Sequence, residues 1–417
     1  MKEIIVEGGS PLRGDITVQG AKNALLPILA ASILTQDEIE LTNCPHLSDA
    51  VCMLAMLRDL GCRTEETDGT IRVCARDLAE MPLKDALTCR LRSSIFILGP
   101  LAARLSHATL GYPGGCDIGL RPIDLHIKGL RALGVTVTEE EGHIHASCTR
   151  LRGAEVYLDY PSVGATENVM MASALAEGET VIHNAAKEPE IVDLQNFLNQ
   201  MGGRVAGAGT GHITVQGVKK LHGCRYEIMP DRIATGTWMI ASVLTKGDIY
   251  LRNAIGEHVA ALTNKLRDGG AEIKKDGDGL RVRMHKRFRA GGMVETMPYP
   301  GFPTDLQSPM MTLLSVADGT GMLMENVFEN RLRLAGELKK MGADITVRER
   351  LAIIKGVQKL KGAQVHTFDL RGGAALVLAG LAAEDETRIT DDHLIERGYD
   401  RLEETLCALC ARVRVRE

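Results

Sequence analysis

Apolar and polar positions repeat along this chain. A phrase in which apolar residues at helical spacing run into a stop recurs six times: Leu57-Arg58-Asp59-Leu60-Gly61, Leu130-Arg131-Ala132-Leu133-Gly134, Leu198-Asn199-Gln200-Met201-Gly202, Leu266-Arg267-Asp268-Gly269-Gly270, Leu338-Lys339-Lys340-Met341-Gly342 and Leu406-Cys407-Ala408-Leu409-Cys410. The copies fall about 70 residues apart, too long for a solenoid repeat and suited to a βαβαβ-type unit. Each predicts a helix end, with glycine at the C-cap in all but the last copy. An alternating strand follows, such as Val135-Thr136-Val137-Thr138 or Ala343-Asp344-Ile345-Thr346.

A second phrase marks another point of the unit: Val6-Glu7-Gly8 with Leu12-Arg13-Gly14, Val215-Gln216-Gly217 with Leu221-His222-Gly223, and Ile354-Lys355-Gly356 with Leu360-Lys361-Gly362. Leu151-Arg152-Gly153 carries its second half. A short strand and a helix rich in small residues are predicted after each. Equal counting from these glycines lands on Asn23, Ser162, Arg232 and Arg371, and the looser units place Arg92 and Asp305 there too. N-capping accounts for Asn23, Ser162 and Asp305. Three arginines at helix starts oppose the helix dipole unless an anion accompanies them. Arg121, Arg331 and Arg397 precede the second helix of their units in the same way. If the units group three by three, such helix starts can converge on a cleft and clamp a doubly anionic ligand.

Length and charge narrow the function class. With 417 residues, 45% of them hydrophobic, the chain can build two cores. A net charge of -5 and an aromatic content of 3% oppose nucleic-acid binding, so an anionic ligand needs a local cluster of cations. The stretch from Met1 to Gly9 lacks the apolar core of a signal peptide, and no run is apolar for long enough to span a bilayer. A cytoplasmic location is expected, with no membrane insertion. Ten cysteines without framework spacing suit reduced thiols. Cys407 and Cys410 read as apolar positions of a final helix, not as a metal pair. His46, His107, His143 and His145 show no partner carboxylate or ligand spacing, and Trp238 reads as core.

One loop stands out chemically. Gly114-Gly115-Cys116-Asp117-Ile118-Gly119-Leu120-Arg121-Pro122 sets a thiol among glycines, ahead of an arginine and a proline that can open a helix. The glycines allow movement, and the cation favours a thiolate and an anionic ligand.

These residues bring a family into view. Gly20-Ala21-Lys22-Asn23-Ala24, the loop with Arg121-Pro122-Ile123-Asp124-Leu125-His126, Ser162-Val163-Gly164-Ala165-Thr166, Pro303-Thr304-Asp305, Phe328-Glu329-Asn330-Arg331, Asp369-Leu370-Arg371 and Arg397-Gly398-Tyr399 resemble the bacterial UDP-N-acetylglucosamine 1-carboxyvinyltransferases over essentially the full chain. The resemblance implies a two-domain inside-out α/β barrel, the enolpyruvyl transferase fold, with three repeats per domain. It further implies domains of residues 22–229 and of residues 1–21 with 230–417. The implied reaction moves the enolpyruvyl group of phosphoenolpyruvate to the 3′-hydroxyl of UDP-N-acetylglucosamine, releasing phosphate by addition and elimination, at the start of peptidoglycan precursor synthesis.

By the same resemblance Cys116 delivers the proton and Asp305 is the base for the hydroxyl. Lys22, Arg121 and Arg397 contact the phosphate. Arg92, Arg331 and Arg371 complete the cationic site, the last two nearest the carboxylate. Asp369 lies beside the reacting carbon, and Asn23 holds the sugar nucleotide together with Val327. Arg121, Pro122, Asp124, Leu125, Ser162, Val163 and Gly164 match the uridine-diphosphate wall. No metal or cofactor is called for, because arginine and lysine take the place of a divalent cation. The sister transferase acting on shikimate 3-phosphate shares the fold but lacks this cysteine loop. A catalytically silent UDP-N-acetylglucosamine-binding paralogue is opposed by the presence of every expected ionisable residue.

Overall fold

Six helices are rich in apolar and small residues and are buried over most of their length. In the computed structural model, which describes residues 2–79, 83–115 and 118–416, they are Lys22–Ala31, Leu98–Leu105, Val163–Ser173, Arg232–Leu244, Gln307–Ser315 and Leu370–Ala382. Amphipathic helices alternate with them along the chain: Ser48–Asp59, Asp124–Ala132, Pro189–Gln200, Ala260–Asp268, Leu334–Lys340 and Leu402–Ala408. Among the described residues no helix is long and apolar enough to cross a membrane.

The chain divides into two units, one of Gly20–Gly115 with Arg121–Met229, the other of Met1–Gln19, Cys116–Leu120 and Pro230–Glu417. In the first unit three sheets flank the buried helices. One runs Arg225–Glu227, Glu38–Thr42, Thr70–Cys74, Arg63–Thr67, with a parallel pair at one edge and an antiparallel hairpin at the other. The sheet of Glu155–Tyr157, Glu179–His183, His212–Gln216 and Val205–Ala206 repeats the plan, and His107–Gly111, His143–Ser147 and Thr136–Glu140 form a three-stranded version. Register sets apolar residues opposite one another on the inner face, as in Ile39↔Val73, Ile182↔Ile213 and Leu110↔Ile144. Buried and exposed residues alternate along these strands, so each sheet turns one face to its core and one to water.

The second unit repeats the plan with Arg13–Thr17, Asp248–Arg252, Gly279–Arg283 and Glu272–Asp276, and with Met293–Glu295, Thr320–Met324, Leu351–Lys355 and Asp344–Arg348. Its third sheet takes a strand from the other end of the chain. Lys2–Glu7 lies between Glu386–Asp391 and Arg412–Arg416, with Ile4 opposite both Ile389 and Val415, and Gln364–His366 is the parallel edge. Trp238 is 4% exposed in this core and meets the Tyr399 ring edge-on.

The recurrent helix stop has one geometry throughout. Gly61, Gly134, Gly202, Gly270 and Gly342 have φ between 89° and 105°, and Cys410, where glycine is missing, holds φ at 64°. The last helix therefore ends at Ala408. Cys407 and Cys410 are exposed, contrary to the apolar reading, because the residue that closes this turn faces solvent.

Candidate active site

In the second unit three predicted residues meet directly. Asp305 lies in a turn of 3-10 helix, Thr304–Leu306, that leads into the buried helix Gln307–Ser315. Its Oδ1 accepts from Arg331 Nη2 at 2.5 Å and its Oδ2 from Arg371 Nη2 at 3.4 Å. Both arginines are 3% exposed, so two nearly dry cations face one carboxylate. Arg331 Nε and Nη1 and Arg371 Nη1 are buried without a hydrogen-bond partner among the described residues. Buried donors left in that state are unfavourable, and a carboxylate or phosphate matches the guanidinium fork. Burial works against the charge of Arg371, but Tyr399, Asp305 and Asp231 around it hold its pKa above the usual arginine value. Arg331 also lies 5.1 Å from the centre of the Phe328 ring, and Arg371 lies 5.4 Å from that of Tyr399.

The capping expectation is corrected. Of the three residues assigned to it, Ser162 caps its helix, accepting from Ala165 N at 3.3 Å. Asn23 is the second residue of a helix capped by Ala21 without side-chain help, and Asp305 belongs to the 3-10 turn. The anions that accompany two helix-start arginines are intrinsic. Asp231 caps Arg232–Leu244, accepting from Ile233 N and Ala234 N, and Asp369 caps Leu370–Ala382, accepting from Arg371 N and Gly372 N at 2.9 Å. An acidic cap offsets the dipole penalty of a following arginine. Asp369 thereby fixes the backbone from which Arg371 extends.

Val327 follows the strand Thr320–Met324, and its N–H donates to Glu325 Oε1 at 2.8 Å. Glu325 Oε2 accepts from Thr304, the neighbour of Asp305, which ties the two segments together. Arg397 stands half-buried in the turn Ile395–Arg397 of the same unit.

In the first unit Lys22 opens a buried helix and pairs through Nζ with Asp49 Oδ2 at 2.8 Å; the two side chains are 11% and 7% exposed. Arg92 grips both stems of the glycine loop. It donates to the carbonyls of Pro113 at 3.3 Å, Pro122 at 3.2 Å and Arg121. Burial, with Arg121 nearby, pulls its pKa down to about 10. Gly114 passes so close to Cys89 that a Cβ would sit 1.7 Å from its carbonyl oxygen. Cys116 and Asp117 lie outside the described residues.

The segments expected to form a uridine-diphosphate wall are joined by a buried residue that sequence reasoning passed over. His126, in the helix that begins at Asp124, packs its ring against Gly164, next to Ser162 and Val163, and its Nδ1 lies 3.2 Å from Asn168 Nδ2. Asn168 in turn donates to Ile95 O and accepts from Gly99 N. Pro122 and Asp124 are exposed, and Leu125 is half-buried. Burial, with Arg92 and Arg121 nearby, lowers the His126 pKa to about 3.

The consequence for stability follows from linkage. Between pH 6.5 and about pH 3 the unfolded chain protonates this histidine and the folded chain does not. Stability fully present above that window is therefore lost as pH falls through it. Urea titrations at stepped pH should show a shallower acid loss in His126→Asn than in the wild type. Equal slopes would assign the loss to other groups.

Glu167, one turn into the helix after Ser162, is fully buried with both carboxyl oxygens unpartnered among the described residues. Burial first, then Glu190 and Glu188, lifts its pKa well above the carboxylate range. Sequence reasoning also passed over Asp49 and Glu325, although an acid in the first turn of the second helix was a visible signal for Asp49. His46 and His143 do have carboxylate partners near the surface, Glu66 at 2.7 Å and Asp85 at 3.0 Å, which only the fold brings together. Among the described residues no group of three His, Cys, Asp or Glu is placed to hold a metal ion.

Residues 6–406 match the family described as EPSP synthase (3-phosphoshikimate 1-carboxyvinyltransferase). A relative from Caldanaerobacter subterraneus subsp. tengcongensis, named UDP-N-acetylglucosamine 1-carboxyvinyltransferase 2, is 49% identical over 406 residues, covering 97% of each chain. The UDP-N-acetylglucosamine 1-carboxyvinyltransferase of Gloeobacter violaceus is 48% identical over 409 residues, covering 98% of this chain and 89% of its own. Among solved structures, the enolpyruvyl transferase NikO from Streptomyces tendae superposes with a TM-score of 0.90 at 24% identity, covering 100% of this chain and 99% of that one. At that identity the likeness shows the fold, which is the α/β fold of the enolpyruvyl transferases.

Proposed function

The chain belongs to the UDP-N-acetylglucosamine 1-carboxyvinyltransferases, within the wider EPSP synthase family, and from that premise we propose how its residues divide the reaction between them. The enzyme transfers the enolpyruvyl group of phosphoenolpyruvate to the 3′-hydroxyl of UDP-N-acetylglucosamine and releases phosphate, the entry step of peptidoglycan precursor synthesis.

The observation that carries the assignment is the arginine pair on Asp305. Three buried guanidinium nitrogens without acceptors among the described residues, beside the Asp305 carboxylate, leave a net cation that suits the carboxylate of phosphoenolpyruvate. Asp305, held between Arg331 and Arg371, takes the proton of the attacking hydroxyl. Lys22, Arg121 and Arg397 receive the phosphate, with Arg92 acting through the loop stems that it grips. Cys116 delivers the proton to the methylene carbon, and Asp369 sets the helix start beside the carbon that becomes tetrahedral. Asn23 and Val327 hold the sugar. Ser162, Val163 and Gly164 offer helix N-terminal N–H groups to the pyrophosphate, with Arg121, Pro122, Asp124 and Leu125 against the nucleoside. Residues 22–229 and residues 1–21 with 230–417 are the two functional domains in this reading, and the site of action is the cytoplasm.

Phosphate release from phosphoenolpyruvate should be followed with UDP-N-acetylglucosamine and, separately, with shikimate 3-phosphate, in wild type and Cys116→Ala. Release is expected with the sugar nucleotide alone, and it should fall sharply in the variant. Release with shikimate 3-phosphate alone would overturn the substrate assignment. A fully active Cys116→Ala would remove the thiol from the mechanism.

A further inference from the structure

One position of the repeat carries a polar residue in five of the six larger sheets. It directly follows the strand paired with the parallel edge strand, or closes it. Asn43 follows Glu38–Thr42, Asn184 follows Glu179–His183, Asn253 follows Asp248–Arg252 and Glu325 follows Thr320–Met324, while Asp391 closes Glu386–Asp391. The three asparagines share a left-handed backbone, with φ of 56°, 53° and 60°. Asn43 and Asn184 each donate through Nδ2 to the residue just past the edge strand, to Ile228 O and Leu158 O, both at 2.8 Å. That bond fastens one strand to its neighbour.

Glu325 and Asp391 stand in the same place and do something different. The residues just past their edge strands are Thr296 and Thr367, and each threonine donates its hydroxyl to the acid at 2.8 Å. The carboxylates have further lone pairs, which accept from the loop that follows. Glu325 Oε1 takes Val327 N at 2.8 Å and Phe328 N at 3.1 Å, and its Oε2 takes Thr304 Oγ1 at 2.9 Å. Asp391 Oδ1 takes Leu394 N at 3.2 Å, and its Oδ2 takes Ile395 N at 3.4 Å. The two acids are 1% and 2% exposed. A buried carboxylate has no donor of its own, so it holds a loop only in the conformation that turns N–H groups inward.

These two loops carry functional residues. The loop under Glu325 holds Val327 and leads to Arg331, and Thr304 on its other oxygen adjoins Asp305. The loop under Asp391 leads within a turn to Arg397. The asparagine positions serve strands that bear no such residue immediately after them.

We propose that Glu325 and Asp391 are positioning residues of the transfer reaction, the first aligning Val327 and Asp305 with the sugar hydroxyl, the second aligning Arg397 with the phosphate of phosphoenolpyruvate. The inference rests on the roles assigned above to Val327, Asp305 and Arg397. In Asp391→Asn the amide nitrogen confronts a loop N–H donor in either orientation, and in Glu325→Gln it either reverses the bond to the Thr304 hydroxyl or, turned over, confronts the Val327 and Phe328 N–H groups, so each loop loses part of its charged anchor while the packed volume is kept.

Steady-state kinetics with each substrate varied in turn test it. Glu325→Gln should raise KM for UDP-N-acetylglucosamine about ten-fold and lower kcat, with KM for phosphoenolpyruvate little changed. Asp391→Asn should show the opposite selectivity. Asn184→Ala, which removes the strand-fastening bond alone, should leave both KM values as in wild type. Should Glu325→Gln fail to fold, Thr304→Val removes one of the four bonds and should raise the sugar-nucleotide KM a few-fold. Equal changes in both KM values, or a lowered melting temperature with both unchanged, would reduce the acids to structural fasteners. Arg397→Ala separates the role of Arg397 from its positioning by Asp391. If it raises KM for phosphoenolpyruvate and Asp391→Asn does not, the positioning inference fails alone; if it does not, the assigned role of Arg397 fails first.

Discussion

Asp305→Asn is expected to lower the rate of phosphate release by about 10²–10⁴-fold, the range for removing a general base. The amide keeps the shape of the carboxylate and can still accept from one arginine. It cannot take the proton of the attacking hydroxyl. The change also removes the one anion that both Arg331 and Arg371 contact at 2.5 and 3.4 Å. Two arginines, each 3% exposed, are then left facing each other, and breaking a buried ion pair from one side costs about 3–5 kcal/mol. Asp305 is itself 23% exposed, so the lower end of that range applies. The melting temperature should fall, and phosphoenolpyruvate should raise it by more in the variant than in wild type, because its carboxylate no longer competes with Asp305 for the two cations. A variant within ten-fold of wild-type turnover would exclude Asp305 as the base. An unchanged response to phosphoenolpyruvate would exclude the arginine pair as its carboxylate site.

Lys22→Gln should cost about 10²–10³-fold in kcat/KM for phosphoenolpyruvate, as expected for loss of one charged group from a site that stabilises developing charge. Its effect on stability has a separate origin. Asp49, whose side chain is 7% exposed, loses the ammonium held 2.8 Å away, and giving up one cation destabilises a nearly buried carboxylate. Lys22→Gln combined with Asp49→Asn should therefore regain most of the lost stability and none of the lost activity. Lys22→Arg keeps the charge but sets a broad planar fork where a compact ammonium stood, and intermediate activity is expected. If the double variant recovered turnover as well, the role of Lys22 would be to neutralise Asp49 and not to bind substrate.

Much of this architecture is legible in one dimension. Periodicity of apolar residues depends on neighbours three, four or two places away, and a single sequence displays it fully. The sixfold recurrence, the helix stops and the small-residue helices follow from that, and even the stop without glycine at Cys410 keeps the left-handed turn that the repeat demands. The clustering of cations at helix starts is visible for the same reason, because register within a repeat is a matter of counting.

Pairing is not legible in this way. Arg331 and Arg371 reach Asp305 across 26 and 66 residues, and Lys22 finds Asp49 on a different helix. Asn23 and Asp305 do not cap their helices, while Asp231 and Asp369, just ahead of Arg232 and Arg371, cap theirs, because a cap is defined by where the backbone enters the helix and a shift of one or two residues changes the role. Glu325 and Asp391 occupy a repeat position that asparagine fills elsewhere, yet only the folded loops show four donors meeting one carboxylate and three meeting the other. Local spacing along the chain determined the elements and their order, whereas the partner of each charge was decided by the tertiary fold, since Coulomb and hydrogen-bond energies depend on distance in space and not along the chain.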